Sequence, residues 1–450
     1  MDNTKNFTSG GVLGSLIKFA IPVFAAMILQ SLYGAVDLLV VGQFAETIDV
    51  SGVATGSLLM QTVTMIITGL SMGVTIYVGQ KIGEKKDEEA GKAIGSGIVM
   101  FFIIGIALSV ALVVLTKQLA NVLHAPEEAY VQTCEYIMVC GSGTIFIGFY
   151  NLLGAIFRGI GDSKTPLFTV LVACIINIIG DLLFVAVLGL GAMGAALATV
   201  IAQAISVIVS ILIIVKKPLP FVFKKEYICF NGQLIFQELK LGTPIALQEF
   251  LVGVSFMVIQ TVVNSIDVTA SAGVGVAEKV CAFIMLVPSA FSQSMSAFVA
   301  QNIGAGYKDR ALKALKCGIM TSLCVAAFIG SFTFFKGNLL ASIFTNDTQV
   351  IEQAFLYLKA YAIDTLLTSI LFCCIGYYNG CGKTMFVMVQ GIVGSFCVRV
   401  PVVILMSNLP NSTLFHIGLA TPASSIVQIV LCVVFMLYTV YSEKKIFTKN

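Results

Sequence analysis

The sequence predicts an all-α integral membrane protein: twelve transmembrane helices in two six-helix lobes related by a parallel pseudo-twofold repeat. Three observations predict it. First, 58% of the 450 residues are hydrophobic and only 11% are charged, where soluble domains carry about 25% charged residues. The mean hydropathy of +0.98 agrees, and a water-soluble fold would leave far too much apolar surface. Second, apolar runs of spanning length, roughly 20 residues, occur at 15–41, 51–78, 94–116, 131–156, 166–188, 192–215, 240–263, 271–297, 312–335, 352–377, 385–406 and 416–441. Backbone in lipid must satisfy its own hydrogen bonds, which leaves helices or a closed barrel. Runs this continuous, without period-two alternation, are helices. Third, the chain repeats itself at an offset near 221. Lys18–Pro22 echoes Lys240–Pro244, Gln80–Gly83 echoes Gln301–Gly304, and Arg158–Gly161 echoes Asn379–Gly382. Six helices per lobe bring both lobes in from the same side, so the repeat axis runs along the membrane normal. The lobes are residues 1–225 and 226–450, joined by a polar, charged stretch near 216–239.

Orientation follows from the basic residues. One side receives Lys5, Lys18, Lys81, Lys85, Lys86, Lys92, Arg158, Lys164, Lys216, Lys217, Lys224, Lys225 and Lys240. It also receives Lys308, Arg310, Lys313, Lys316, Lys383, Lys444, Lys445 and Lys449. The other side has Lys117 and Lys336, with Lys359 just inside a helix. The asymmetry makes the first side cytoplasmic, with both termini there, in a cell membrane. The basic run 216–225 is then a topology signal rather than a nucleic-acid site. The twelve Cys fall mostly in apolar runs and form no CxxC pair, so no disulfide framework is expected. His124 and His416 form no metal cluster. The polar start lacks a small-residue cleavage site, and no signal peptide is expected.

Chemistry concentrates in 158–203. Asn177 and Asp181 stand four residues apart in a spanning run, which puts them on one helix face. A carboxylate at a helix centre in lipid costs roughly 2.5–3.5 kcal/mol. A cation, a proton or a partner side chain must offset that cost. At about 1.5 Å rise per residue, Asp181 lies roughly 22 Å from the cytoplasmic start of its helix and Thr199 roughly 10 Å below the outer start of the next. Asp37 sits late in the first helix and falls in the same outer half. Two carboxylates, an amide and a hydroxyl suit a hard cation such as Na⁺. Two nearby carboxylates withdrawn from water can instead hold a proton. The ligand types leave both ions open. The plain alternative is an Asp181 satisfied by Asn177 and a serine, with Asp37 at a helix end. The repeat weighs against it: the second-half counterparts lie close to Val398, Val402 and Ala423, and near Ile259 and Gln260 for Asp37. The fold does not need these polar groups in both copies.

The second half carries Glu249, Glu278, Lys279, Asp364 and Arg399 within or near its spans. Glu278 and Lys279 form an interfacial pair, and Asp364 and Arg399 on successive helices can pair structurally. Glu249 lies about 13 Å in from the cytoplasmic side. Glu249 and Asp364 are candidates for a second ion site or a site for a cationic substrate. Pro22 and Pro244 lie early in helices 1 and 7, and Pro288, Pro401 and Pro422 lie in others. Each removes a helix hydrogen bond and permits a bend. A bend in helix 1 would couple Asp37 to helix shape. Met60, Phe149, Phe256, Met257, Met285 and Phe291 can line an adaptable apolar cleft or serve as ordinary packing. The run Gly376–Thr384 imitates a phosphate-binding loop, but with five residues between its glycines instead of four. Its likeness to Arg158–Thr165 marks it as a repeated cytoplasmic turn.

Taken together, Pro22 with Tyr33–Asp37, the loop Arg158–Pro166, Asn177 with Asp181, Gly194–Thr199 through Gln203, and Gln301–Gly304 resemble the bacterial type of the multidrug and toxic compound extrusion (MATE) family over nearly the whole chain. The resemblance implies two six-helix lobes around a V-shaped cleft. It also implies efflux of amphipathic, often cationic compounds by alternating access, driven by inward Na⁺ or H⁺. Under it, Asp37, Asn177, Asp181 and Thr199 match the family's cation site in the first lobe, and Glu249 and Asp364 match acidic positions of the second. No cofactor beyond the coupling ion is expected. The expected partners are small amphipathic molecules and the lipid bilayer, without nucleic acid, for a chain acting as a monomer. The alternative is a flippase for a lipid-linked saccharide precursor, which calls for basic residues in the cleft where this chain offers mainly acids. An enzyme would show a catalytic constellation, and none stands out.

Overall fold

A computed structural model describes residues 7–216, 219, 221 and 223–447, with side chains as far as 441. Of the basic residues used for orientation, Lys5, Lys217 and Lys449 lie outside the described residues, as do the side chains of Lys444 and Lys445. The chain runs α1 (Val12–Phe44), α2 (Thr47–Gly83), α3 (Asp87–Val114), α4 (Thr116–Val122), α5 (Tyr130–Ser142), α6 (Thr144–Gly159), α7 (Lys164–Asp181) and α8 (Gly191–Lys216). It continues with α9 (Gly232–Asn264), α10 (Val268–Gly304), α11 (Lys308–Ala341), α12 (Thr348–Gly380), α13 (Thr384–Ile392), α14 (Val400–Ser407), α15 (Leu414–Gly418) and α16 (Ala420–Phe447). Among the described residues there is no strand. Eleven spans are long and apolar enough to cross a membrane, and the bent α5–α6 pair makes a twelfth. This is a multi-pass, all-α membrane protein, as the composition predicts.

Four predicted helices are interrupted. The span 131–156 is broken by 50° between α5 and α6. Gly143 sits at the break against Val200 of α8, whose Cβ would lie 3.0 Å from an added Cβ. The span 166–188 passes from α7 into a wide π-helical turn, Leu182–Val187, directly after Asp181. A second π-helical stretch, Val393–Arg399, joins α13 to α14 within 385–406. Such turns free backbone groups from the regular ladder and concentrate at functional sites. Thr413 caps α15 in a box with His416, and Leu419 separates α15 from α16.

The chain forms two compact units. The first is Met1–Ala246 with Ala300–Lys308, and the second is Leu247–Val299 with Asp309–Asn450. The first unit packs α7 on both α1 and α8, and α2 on α5 and α6. Its core includes Val53, Ile67, Val74, Leu152 and Ile156. Glycines allow its tightest crossings: Gly242 of α9 lies so close to α2 that an added Cβ would stand 2.6 Å from the Leu70 carbonyl. At its surface Lys81 reaches Glu84 at 3.1 Å and Glu89 at 2.9 Å, and Lys86 reaches Glu84 at 3.0 Å. Partial burial raises the Glu84 carboxyl, and hydrogen bonds from Lys86 and Lys81 outweigh it and leave the group below its ordinary value. In the second unit α12 packs on α15 and α16, around Ile259, Val274, Tyr357 and Leu358. The glycine run that imitates a phosphate loop is helix surface: an added Cβ on Gly376 would stand 2.8 Å from Met295 Cβ, and the α12–α13 turn follows with Gly382 at φ 72°.

Candidate ion site

Three pairs of residues spaced four apart build the site in the first unit. Tyr33 and Asp37 stand on α1, Asn177 and Asp181 on α7, and Thr199 and Gln203 on α8. Each pair shares one helix face. Because α7 packs against both α1 and α8, the three faces converge. Gly180 sets the α7–α8 approach. A Cβ there would lie 2.9 Å from Ala198 Cβ and 3.2 Å from its Cα, so only glycine lets the helices come this close.

All four predicted first-lobe residues meet here. Asn177 Nδ2 donates to Thr199 Oγ1 at 3.5 Å, a long bond. The carboxyl groups of Asp37 and Asp181 are near enough to interact electrostatically. Asp37 is 6% exposed, Asn177 1% and Asp181 0%. No protein donor reaches Asp37 Oδ1, Asn177 Oδ1 or either oxygen of Asp181. Asp181 is therefore not satisfied by Asn177 or a serine, which removes the purely structural alternative in that form. Tyr33 lies near Gln203 and within electrostatic range of Asp37. Tyr136 and Cys140 also face Asp37. Tyr33 was legible from its four-residue spacing to Asp37. Tyr136 and Cys140 were not, because it is the packing of α5 on α2 and α8 that brings them close.

Buried acceptors without donors, two of them carboxylates, are a set that a hard cation or a shared proton completes. Among the described residues no three His, Cys, Asp or Glu side chains form a metal cluster.

The second unit does not join its predicted pair. Asp364 is fully buried and accepts from Ser425 Oγ at 2.6 Å. Glu249 lies on an exposed position of α9, and no hydrogen bond or ion pair joins it to Asp364 among the described residues. Arg399 feels Asp364 electrostatically but forms no ion pair with it within 4.0 Å. Instead its guanidinium donates to Ser255 Oγ at 2.8 Å and lies 4.4 Å from the Phe256 ring centroid. Lys279 turns away from Glu278 to lie over the Phe344 ring.

Comparison with known proteins bears on this geometry. The MatE family model matches twice, at residues 22–183 and 244–405, in agreement with the internal repeat. A Bacillus subtilis (strain 168) protein named "Probable multidrug resistance protein YpnP" is 26% identical over 403 residues, 89% of this chain and 90% of that one. "Multidrug export protein MepA" of Staphylococcus saprophyticus is 23% identical over 411 residues, 90% of this chain and 89% of that one. Among solved structures, the outward-facing conformation of a multidrug resistance MATE family transporter of the MOP superfamily superposes with a TM-score of 0.92 at 16% identity, covering 99% of each chain. That likeness establishes the same fold. With both halves matched, the chain belongs to the MatE family of multidrug and toxic compound extrusion transporters.

Proposed function

We propose that this transporter is a cation-coupled antiporter that exports amphipathic, cationic organic compounds by alternating access, with Na⁺ or H⁺ entering at Asp37, Asn177, Asp181 and Thr199. The observation that carries this reading is the set of buried acceptors there that no protein donor satisfies. Ion entry neutralises the carboxyl pair and draws α1 and α7 together. Ion loss leaves two like charges out of water, which favours their separation. That difference between loaded and empty states gives the ion a means of shifting the transporter between them. The acids also suit export of cations, since a cationic compound and an ion that favour opposite states exchange for each other. The protein acts as a monomer in the cell membrane, with both termini on the cytoplasmic side, where the basic loops gather.

The test is transport of a lipophilic cation into and out of proteoliposomes under an imposed Na⁺ or H⁺ gradient. One of the two gradients is expected to drive accumulation, and Asp181→Asn and Asp37→Asn proteins are expected to lose it. Gradient-driven transport that survives in both variants sinks the proposal.

A further inference from the structure

A second acid of the first unit stands apart from this site. Glu238 lies in α9, two turns after the helix begins and just before Lys240 and Pro244. It is 0% exposed, and neither carboxyl oxygen has a hydrogen-bond partner. Among the described residues no cationic side chain pairs with either of its oxygens. Its carboxyl faces α3 at Gly97, where an added Cβ would lie 3.5 Å from Oε2, 3.6 Å from Oε1 and 3.6 Å from the Leu152 methyl of α6. The next residue, Ser96, carries a buried hydroxyl that is also without a partner.

An uncompensated carboxylate in such surroundings costs several kcal/mol, roughly, so the group is held as the neutral acid. One carboxyl and one hydroxyl are too few oxygens for a metal cation, which leaves the proton as the occupant. On α2, Tyr77 is within electrostatic range of Glu238, Lys81, Glu84 and Glu89. Lys81 Nζ stands 5.5 Å from the Tyr77 ring centroid and belongs to the surface charge cluster. The titratable groups facing Glu238 are thus Tyr77 from α2 and those behind it, while α3 presents Ser96 and Gly97 and α6 presents Leu152.

We propose that Glu238 is a second proton-carrying site of the first unit, which takes a proton from water on the side of the Lys81–Glu89 cluster and returns it there during the transport cycle. The proposal deepens the antiport reading and rests on it for the word cycle. The carboxylate gains one proton to become the acid and later loses the same proton. α9 passes from the first unit to the second at Ala246 and Leu247, two residues beyond Pro244, where a proline weakens the helix.

The experiment uses the full chain and two readouts. Infrared difference spectra between acidic and alkaline buffer are recorded for wild type and Glu238→Gln. Wild type is expected to show a carboxylic acid band that Glu238→Gln lacks, and Glu238→Asp is expected to restore it at a shifted position. In proteoliposomes, Glu238→Gln is expected to lose a one-proton pH dependence of transport, up to about tenfold per pH unit on one limb. Identical spectra overturn the proposal. So does a missing band with an unchanged pH profile, which makes the proton static. If wild-type transport ignores every cation gradient, the antiport reading falls, while a band that titrates in wild type and is absent from Glu238→Gln still upholds the proton site. Glu238→Asp keeps the carboxyl and carries the same comparison should Glu238→Gln fail to fold.

Discussion

Gly180→Ala isolates the contact that assembles the ion site. The added methyl would lie 2.9 Å from Ala198 Cβ and 3.2 Å from Ala198 Cα, and neither atom can rotate away. Carbon atoms rest about 3.5–4.0 Å apart, so α7 and α8 must part by roughly 0.5–1 Å. The Asn177–Thr199 bond already stands at 3.5 Å and does not survive that separation. Overpacking of this kind costs about 1–3 kcal/mol. Against it stands the helix-propensity gain of alanine over glycine, about 0.8–1.0 kcal/mol. The clash is the larger effect, and Gly253→Ala provides the control, since a Cβ there meets nothing within 4 Å. Gly253→Ala gains the propensity term alone, so the two variants are expected to differ by about 1–3 kcal/mol. The assay is thermal unfolding of purified protein with and without Na⁺, and across pH. A cation at 100 times its Kd adds about 2.7 kcal/mol of stability, and a tenfold loss of affinity removes about 1.4 kcal/mol of that. Gly180→Ala is expected to unfold below Gly253→Ala and to lose most of the cation-dependent rise. If it matches Gly253→Ala and keeps the full rise, the α7–α8 approach does not position the site and the reasoning fails.

Three further outcomes follow from the same geometry. Asp181→Asn replaces a buried acid that lacks a protein donor with a neutral group, so melting temperature in cation-free alkaline buffer is expected to hold or rise while the cation-dependent increment disappears; a marked drop there would mean the carboxylate is structurally satisfied. Asp364→Asn, by contrast, alters a carboxylate that accepts from Ser425 and balances Arg399, so it is expected to lower the melting temperature and leave the cation increment intact. Glu84 sits below its ordinary value of 4.5, so its stabilisation is fully present above that value and fades as pH falls through the lower folded value; Glu84→Gln is expected to melt below wild type at neutral pH, with the gap closing in acid, and a gap that is independent of pH would show that its ion pairs contribute nothing.

The spans and the first-lobe site were legible because both follow from local rules. Twelve apolar runs give twelve crossings, and Asn177 and Asp181 share a face by spacing alone. What escaped depends on close approach between distant segments. Nothing in the run 131–156 marks Gly143 as a break, because the cause is Val200 on another helix. Glu238 looked like one more charged residue in the polar stretch before helix 7. Its burial comes from glycines of α2 and α3 that let α9 sink between them, and glycine spacing in lipid-spanning helices is too common to read as a pocket. Glu249 and Asp364 were grouped as charges within the second-half spans, not by a shared face, and no hydrogen bond or ion pair joins them among the described residues.

The two units differ in how far the chain satisfies their buried acids. In the second, Asp364 has a serine donor and lies near the guanidinium of Arg399, which itself rests on Ser255 and Phe256. Oδ1 of Asp364 is held by Ser425, while its Oδ2 is buried without a hydrogen-bond partner. In the first, Asp37, Asp181 and Glu238 are buried with oxygens that no protein donor or cation satisfies. The neutralising partner must come from solution, and it can therefore leave. A transporter duplicated from one lobe needs an exchangeable ion in only one copy to become coupled, provided that copy pays the desolvation cost of holding acids empty for part of each cycle. The unpartnered acids of the first unit are the positions at which the proposed coupling would place that cost.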